Sequence, residues 1–133
     1  MLVFTRAGEV LMLERTRPRG FWQSVTGSLE WDETPVHAAV RELREETGLW
    51  AGQGLRDLRH VETFPIVPPW RERYAPTDRV NTEHWFALEL PGRRLVLRNR
   101  DEHRQHRWLP WRQAAARASS WTNRAAIERL RRG

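Results

Sequence analysis

Two short, mostly hydrophobic runs lie at the start of the chain. They are residues 1–5 and 9–14, with the turn dipeptide Ala7-Gly8 between them, and in the second run Val10, Met12 and Glu14 alternate with Leu11 and Leu13. Two such runs on either side of a turn predict a β-hairpin. The same criteria predict five more strands, at residues 22–26, 55–64, 82–90, 95–97 and 104–109.

A helical period replaces the alternation after residue 33. Thr34 supplies an N-cap hydroxyl and Pro35 suits the first helical position, while Gly48 is a typical C-terminal stop residue. These signals predict one helix between them. The residues expected to form its buried stripe are Val36, Ala39, Val40, Leu43 and Thr47.

The C-terminal part of the chain predicts two further helices. A short one covers residues 111–118, and a longer one begins near residues 120–123 and ends at Arg131. Residues 68–81, rich in Pro, Arg and Asp, predict a long loop, and long loops in compact domains tend to be functional or disordered. A hairpin, a helix, more strands and terminal helices together predict an α+β fold, built as an α/β/α sandwich.

Length and composition place the chain in a broad class. With 133 residues it is expected to form one domain, residues 1–133. There is no apolar run long enough to span a membrane and no signal peptide, so no membrane partner is expected. The absence of cysteine excludes disulfides and thiolate metal sites. A soluble cytoplasmic protein is the expectation, and the sequence makes no prediction of oligomeric state.

Charge adds a prediction about the ligand. The net charge is +6 and comes from arginine alone, because the chain contains no lysine. The arginine fork suits bidentate phosphate binding, and an acidic cluster lies in the middle of this basic chain. The combination indicates an anionic ligand held partly by arginine and partly through a bridging metal. Nucleic acid is a weaker interpretation, because no recognised binding motif accompanies the charge.

Three glutamates on the first predicted helix carry the candidate chemistry. Glu42, Glu45 and Glu46 are spaced i, i+3 and i+4, so they share one face, where like charges repel. We expect that face to point away from the buried stripe. Carboxylates without cysteine favour Mg²⁺ or Mn²⁺, although an exposed helix with ordinary salt bridges would show the same pattern.

Residues 27–49 match the pattern G-x5-E-x7-R-E-L-x-E-E-x-G-L and resemble the box of the Nudix hydrolases. The resemblance implies a central mixed sheet between helices and a Mg²⁺-dependent hydrolase, with Mn²⁺ as a substitute. It implies that Glu42, Glu45 and Glu46 bind the metal and that Arg41 orients them. Glu33 is expected to have a structural role and not a catalytic one. Asp32 replaces the usual box glycine. Aspartate tolerates a left-handed backbone, so the loop is expected to survive.

Segments outside the box narrow the resemblance. Residues 21–28, 73–76, 81–86 and 120–128 resemble the Nudix branch that releases pyrophosphate from dihydroneopterin triphosphate in bacterial folate synthesis. This branch implies a small-molecule triphosphate as substrate. The alternatives are a (deoxy)nucleoside triphosphate such as dATP, or a non-catalytic module that binds nucleotide or RNA.

The narrower resemblance also implies site residues far from the box. Glu102 would add a metal ligand, and Glu46 and Glu102 are the candidates to accept the proton of the attacking water. Arg15, Thr26 and Ser120 would line the substrate site, and Arg73 on the long loop could close over the triphosphate. Three of these have plainer alternatives: a strand-end charge for Arg15, an N-cap for Ser120 and a solvated loop for Arg73.

The sequence gives less specific predictions for the roles of the tryptophans and histidines. Trp22, Trp85, Trp108 and Trp121 could stack on a flat pterin ring, but burial in the core is expected for most of them. His103 and His106 are three residues apart. In a regular strand they would face opposite sides, so neither is assigned a role.

Overall fold

One mixed β-sheet forms the centre of the protein. The computed structural model describes residues 1–26, 30, 32–52, 54–65 and 80–132, and within these ranges it contains six strands and three helices. The strands are β1 (Leu2–Thr5), β2 (Glu9–Arg15), β3 (Trp22–Gln23), β4 (Leu55–Pro65), β5 (Val80–Leu90) and β6 (His103–Pro110). Their order in the sheet is β3-β2-β1-β5-β4, with β6 paired to β2.

The predicted hairpin is confirmed at the start of the sheet. β1 and β2 pair antiparallel, with Phe4 opposite Val10, and Gly8 donates to the Thr5 carbonyl at 2.9 Å in the turn. Gly8 has a φ of +90° and the indole of Trp111 lies 2.9 Å from where a Cβ would be, so only glycine fits there. β1 also pairs with β5 in parallel, which makes the sheet mixed.

Helices cover both faces of this sheet. Helix α1 (Pro35–Thr47) packs on one face through Leu43, against the core that includes Leu11, Leu13 and Leu88. Helices α2 (Trp111–Arg117) and α3 (Trp121–Arg132) pack on the other face through small and aliphatic residues. The α/β/α sandwich is therefore confirmed. None of the helices in the described ranges is long and apolar enough to cross a membrane.

The predicted ends of α1 are confirmed by its caps. The Thr34 hydroxyl accepts a hydrogen bond from the His37 amide at 3.3 Å, and Pro35 is the first helical residue. Gly48 adopts the left-handed conformation with φ 75°, and its amide donates to the Arg44 carbonyl at 2.8 Å. A helix fixed at both ends holds its glutamates at defined positions relative to the sheet.

The buried stripe of α1 is confirmed at Leu43 and Thr47, with Ala39 and Val40 partly buried against the core, and differs from the prediction at Val36 and Glu46. Val36 is 40% exposed, whereas Glu46, expected to face away from the core, is only 1% exposed. Leu43, Glu46 and Thr47 are the residues that face the sheet near the end of the helix, because i, i+3 and i+4 share a face. The packed face and the acidic face therefore overlap at Glu46.

Two strand predictions are also corrected. Residues 95–97 form no strand: Val96 is buried between the exposed Leu95 and Leu97, and the Leu97 amide donates to the Thr47 carbonyl at 2.8 Å. One bond to a helix end replaces the ladder that a strand needs. β3 stops at Gln23, short of the predicted 22–26. β5 includes the last two residues of the predicted loop 68–81, and the remainder of that loop lies outside the described residues.

Candidate metal centre

A β-bulge decides which side chains of β6 face α1. Leu13 pairs with His106 but Arg15 pairs with His103, so Arg104 has no counterpart on β2. Leu13 and Arg15 are two residues apart and share one face of the sheet, and their partners lie on that same face. The prediction that His103 and His106 face opposite sides is therefore wrong, because the alternation is interrupted between them.

The opposite face holds the bulge in place. The carboxylate of Glu14, which is 4% exposed, accepts hydrogen bonds from Gln105 at 2.5 Å and from Arg104 at 3.2 Å. It also accepts from the Gly20 amide at 2.8 Å. The hydrogen bond from Gln105 is the main cause that keeps the pKa of Glu14 below its usual range. An ionised Glu14 thus fixes the residue that the bulge leaves unpaired.

Three potential metal ligands converge where α1 meets the bulge. Glu46, Glu102 and His103 each offer a ligand atom, and these atoms lie within 4.8 Å of one another. We call these three residues the Glu46 cluster. The Glu46 Oε1 atom is 3.5 Å from His103 Nε2, and both side chains are at most 2% exposed. Glu102 is exposed, and its amide donates to the Asn99 carbonyl at 3.1 Å in the turn before β6.

The electrostatics of Glu46 suit a cation. Burial is the main cause that raises its pKa to about 9, and the negative charges of Glu42 and Glu102 add to the effect. Glu42, one turn earlier, also has its pKa raised, mainly by burial. The Glu46 Oε2 atom is buried and has no hydrogen-bond partner among the described residues. A divalent cation would satisfy it, and the carboxylates of Glu42, Glu46 and Glu102 are oxygen donors of the kind that Mg²⁺ or Mn²⁺ prefers.

His103 is held as a neutral imidazole beside this carboxylate. Burial, and then the charge of Arg15, lower the pKa of His103 to about 4. Its Nε2 atom is also 3.1 Å from the Nε2 atom of Gln23 on β3. The side-chain amide and the ring are both buried, so this contact is shielded from water.

A second group of glutamates surrounds Arg41 on the outer side of α1. Arg41 forms two hydrogen bonds with Glu33, at 2.7 and 2.9 Å, and its Nη1 donates to Glu42 at 2.9 Å and to Glu45 at 3.1 Å. We call these four residues, with Glu30 at 3.6 Å from Arg41, the Arg41 cluster. The Arg41 hydrogen bonds are the main cause that lowers the pKa of Glu33 to about 2.

Glu33 also organises the loop that leads to the helix. Its Oε1 atom accepts from the Glu30 amide at 2.9 Å, so its carboxylate joins that loop to Arg41. Asp32, next to it, has a φ of 61°. Asp32 thus adopts the left-handed conformation that aspartate tolerates, at the position of the usual box glycine.

The structure separates the three glutamates that were predicted together as ligands. Glu46 belongs to the Glu46 cluster, whereas Glu42 accepts a hydrogen bond from Arg41 and its charge helps to raise the pKa of Glu46. The carboxylate of Glu45 is 55% exposed and contacts Arg41. Glu102, which was predicted only through the family resemblance, lies beside Glu46 as expected.

The predicted substrate residues lie at different distances from this centre. Arg15 is opposite His103 in the sheet, and its Nε donates to the Arg17 carbonyl at 3.0 Å. Thr26 is half-buried and lies in the segment that follows β3. Ser120 contacts the first turn of α3, with its Oγ 2.7 Å from that of Thr122, so the alternative of an N-cap fits its surroundings. Arg73 lies outside the described residues.

Sequence reasoning missed two polar residues of this region. His103 was left unassigned because the bulge has no signal in the spacing of residues 103–106. Gln23 belongs to a short segment of apolar and polar residues that gives no indication of a buried amide. Both could have been suspected only from the position of β3 and β6 on either side of β2.

Comparison with known proteins agrees with this geometry. Residues 1–130 match the NUDIX domain family. The chain is similar to the dihydroneopterin triphosphate diphosphatase of Escherichia coli strain K12, with 46% identity over 124 residues, which cover 91% of this chain and 81% of that protein. The protein of the same name from Haemophilus influenzae is 35% identical over 133 residues, covering 97% of this chain and 83% of its own.

A solved structure shows the same likeness in three dimensions. The structure of the E. coli dihydroneopterin triphosphate pyrophosphohydrolase has a TM-score of 0.89 and 41% identity, and the match covers 96% of this chain and 89% of that one. The resemblance noted from the sequence is thereby confirmed. The chain belongs to the Nudix family of hydrolases.

Proposed function

We propose that this Nudix hydrolase converts dihydroneopterin triphosphate to dihydroneopterin monophosphate and pyrophosphate, with a divalent metal as cofactor. The observation that carries the proposal is the 46% identity to the E. coli dihydroneopterin triphosphate diphosphatase, which extends over 91% of this chain. Identity at this level covers the segments outside the box, which distinguish this branch from other Nudix enzymes. A role in folate synthesis and a cytoplasmic location belong to the same proposal.

The metal of this proposal is Mg²⁺, with Mn²⁺ as a substitute. When bound, the cation supplies Lewis-acid polarisation of a phosphoryl oxygen and a bound water of lowered pKa. Glu42, Glu46 and Glu102 would hold it, supported by the unpartnered Oε2 atom of Glu46 and the short distances within the Glu46 cluster. The family pattern adds Glu45 to this set, although its carboxylate contacts Arg41 in the structure.

The side chains around the metal set have separate roles in this proposal. Glu46 and Glu102 are the candidates to accept a proton from the attacking water, because both are carboxylates of the Glu46 cluster. Arg41 orients the carboxylates of Glu42 and Glu45, with which it is hydrogen-bonded. Arg15 lies beside His103 and offers a guanidinium to a phosphate oxygen.

The remaining part of the substrate would lie away from the metal. We assign Thr26, Ser120 and Arg73 to it from the family resemblance. The start of α3 is held against β3, because the Ser24 amide donates to the Asn123 side chain at 2.7 Å. Trp121, beside Ser120, is 56% exposed and offers a ring face for stacking, whereas Trp22 and Trp85 are buried in the core as expected.

A turnover panel tests the substrate. Purified protein with Mg²⁺ is given dihydroneopterin triphosphate, dATP and GTP, and pyrophosphate release is measured for each. The pterin should have the highest kcat/KM. If pyrophosphate release from the pterin stays at background while dATP is cleaved rapidly, the pterin assignment fails and the hydrolase assignment stands. If none of the three is cleaved with Mg²⁺ or Mn²⁺, the interpretation as a non-catalytic binding module gains support.

A further inference from the structure

We propose that Gln23 and His103 are positioning residues, which hold one oxygen of Glu46 so that the other oxygen faces the metal. The proposal concerns this chain's own contacts and rests on the metal site proposed above. It does not depend on which triphosphate is cleaved. It gives a role to a buried histidine and a buried amide that the proposed reaction has not used.

The contacts form a continuous buried path. His103 Nε2 lies 3.1 Å from Gln23 Nε2 and 3.5 Å from Glu46 Oε1. The relative exposures of the three residues are 6% for Gln23, 1% for His103 and 1% for Glu46. Because these groups are in direct contact at 3.1 and 3.5 Å, a shift of the ring would shift the carboxylate. Each residue comes from a different element: β3, β6 and α1.

The contact with Gln23 argues against His103 as a direct ligand through Nε2. If the amide donates to Nε2, it uses the lone pair of that atom. If the amide is turned over, its oxygen accepts a hydrogen from Nε2, and the atom again has no lone pair to give. In both cases Gln23 engages Nε2, so His103 restrains Glu46 Oε1 by direct packing of the ring at 3.5 Å and not by a hydrogen bond of its own.

The contact with His103 makes the surroundings of the two Glu46 oxygens different. Oε1 lies on the side of His103, while Oε2 is buried and has no hydrogen-bond partner among the described residues. A carboxylate that is oriented in advance loses less rotational freedom when a cation binds. Residues behind a metal ligand act in this way in many sites, and their loss weakens metal binding by about 10- to 100-fold.

The amide itself is anchored from the far side of the sheet. β3 has only two residues, yet Trp22 exchanges two hydrogen bonds with Ser119, at 2.9 and 3.0 Å. The next residue, Ser24, is bonded to Asn123 of α3 through both its amide and its hydroxyl. The position of Gln23, and through it that of the ring, is thus fixed by α3 and by the segment before it.

Metal affinity is the direct test. Mn²⁺ is titrated into metal-free protein, and free Mn²⁺ is measured by electron paramagnetic resonance. We expect the Kd for Mn²⁺ to rise about 10- to 100-fold in His103→Leu. It should return to within about fivefold of the original in His103→Gln, whose amide can replace the ring nitrogen.

His106→Leu is the matched control, because His106 shares the sheet face but belongs to no part of the proposed metal set. Its Kd should change by less than about twofold. Unchanged affinity in His103→Leu would overturn the proposal.

Spectroscopy separates a positioning role from direct ligation. Electron spin echo modulation of the Mn²⁺ complex should show no coupling to a directly bound imidazole nitrogen. If that coupling is present, and is lost in His103→Gln, then His103 is a ligand and the proposal is wrong. Because this readout needs no turnover, it remains valid even if the pterin assignment fails.

A double-mutant cycle tests the part played by Gln23. Gln23→Leu should weaken Mn²⁺ binding in the same direction, and the double variant with His103→Leu should be little worse than His103→Leu alone. Strictly additive effects would show that the two residues act independently, which contradicts the proposal. Circular dichroism and thermal melting establish that each variant is folded. If His103→Leu does not fold, Gln23→Leu and His103→Gln still decide the question.

Discussion

The Glu46 cluster and the Arg41 cluster both contain glutamates and both include residues of α1, but the carboxylates of Glu46 and Glu33 have pKa values shifted in opposite directions. Glu33 accepts two hydrogen bonds from Arg41, and its pKa is lowered to about 2. Glu46 is buried beside other acids, and its pKa is raised to about 9. The negative charge of Glu33 is balanced by the guanidinium of Arg41. Glu46 has an oxygen with no partner among the described residues.

The difference teaches how one acidic segment can serve both structure and chemistry. The pKa of Glu33 is below its ordinary value of 4.5, so Glu33 contributes stability above pH 4.5 that is lost as the pH falls towards 2. The pKa of Glu46 is above 4.5, so its contribution is present below pH 4.5 and is lost as the pH rises towards 9. Arg41 stabilises the fold, whereas Glu46 costs stability near neutral pH unless a cation binds.

The largest expected effect follows from removing the charge of Glu46. In Glu46→Gln, turnover should fall by about a thousandfold, because a metal ligand accounts for several kcal/mol of transition-state stabilisation. The metal-free variant should be at least as stable as the parent protein at pH 9, since it no longer has a buried acid to ionise. Pyrophosphate release and thermal melting at pH 5 and pH 9 measure the two quantities.

Glu33→Gln is the control for Glu46→Gln. It removes a carboxylate that Arg41 already neutralises, so it should lower stability while leaving the Mn²⁺ affinity of the protein within a fewfold of the original. If Glu33→Gln weakened metal binding as much as Glu46→Gln, the distinction between the two clusters would be lost.

The second effect is the dependence of metal affinity on pH. The proposed metal site needs Glu46 ionised, but burial and neighbouring acids raise the pKa of that carboxyl to about 9 in the metal-free protein. The apparent affinity for Mg²⁺ should therefore rise by up to about tenfold per pH unit between pH 6 and pH 8. Calorimetric titration in two buffers of different ionisation enthalpy should count about one proton released per metal. A flat profile would show that Glu46 is already ionised without metal.

The third effect is the loss of Arg41. Arg41→Gln leaves Glu33 without its bidentate partner, and we expect the free energy of unfolding to fall by about 1 to 2 kcal/mol. Turnover should fall by about 10- to 100-fold, because Glu42 loses the group that orients it. Chemical denaturation and kcat measure the two changes. Arg44→Gln, on the same helix with its guanidinium over Trp50, is the matched control and should leave kcat nearly unchanged.

Much of this architecture could be predicted from local sequence signals. The caps Thr34 and Gly48 and the turn at Gly8 each depend on the residue at one position, and each is confirmed. The sandwich followed from the order of the elements. The identity of Glu102 as a neighbour of Glu46 came only from the family resemblance, since nothing in residues 100–104 distinguishes it.

The features that were missed depend on contacts between distant segments. The rotation of α1 that buries Glu46 is set by packing against the sheet, and the period of the helix alone placed Val36 there instead. The bulge that turns His103 towards α1 arises from the pairing of β2 with β6. A single sequence carries no register between strands about 90 residues apart, so neither feature had a local signal.

The smallest effect is expected for Glu45, and it tests where the boundary between the two clusters lies. Its carboxylate is 55% exposed, lies 3.1 Å from Arg41 and is outside the Glu46 cluster. An exposed pair of this kind contributes up to about 1 kcal/mol, which corresponds to about fivefold. In Glu45→Gln, kcat and the Kd for Mn²⁺ should therefore change by no more than about fivefold, while Glu42→Gln measured in parallel should lose far more. A hundredfold loss in Glu45→Gln would mean that this side chain leaves Arg41 when the metal binds. Glu45 would then be a ligand, as the family pattern implies, and the Arg41 cluster would be the resting position of a carboxylate that belongs to the metal site.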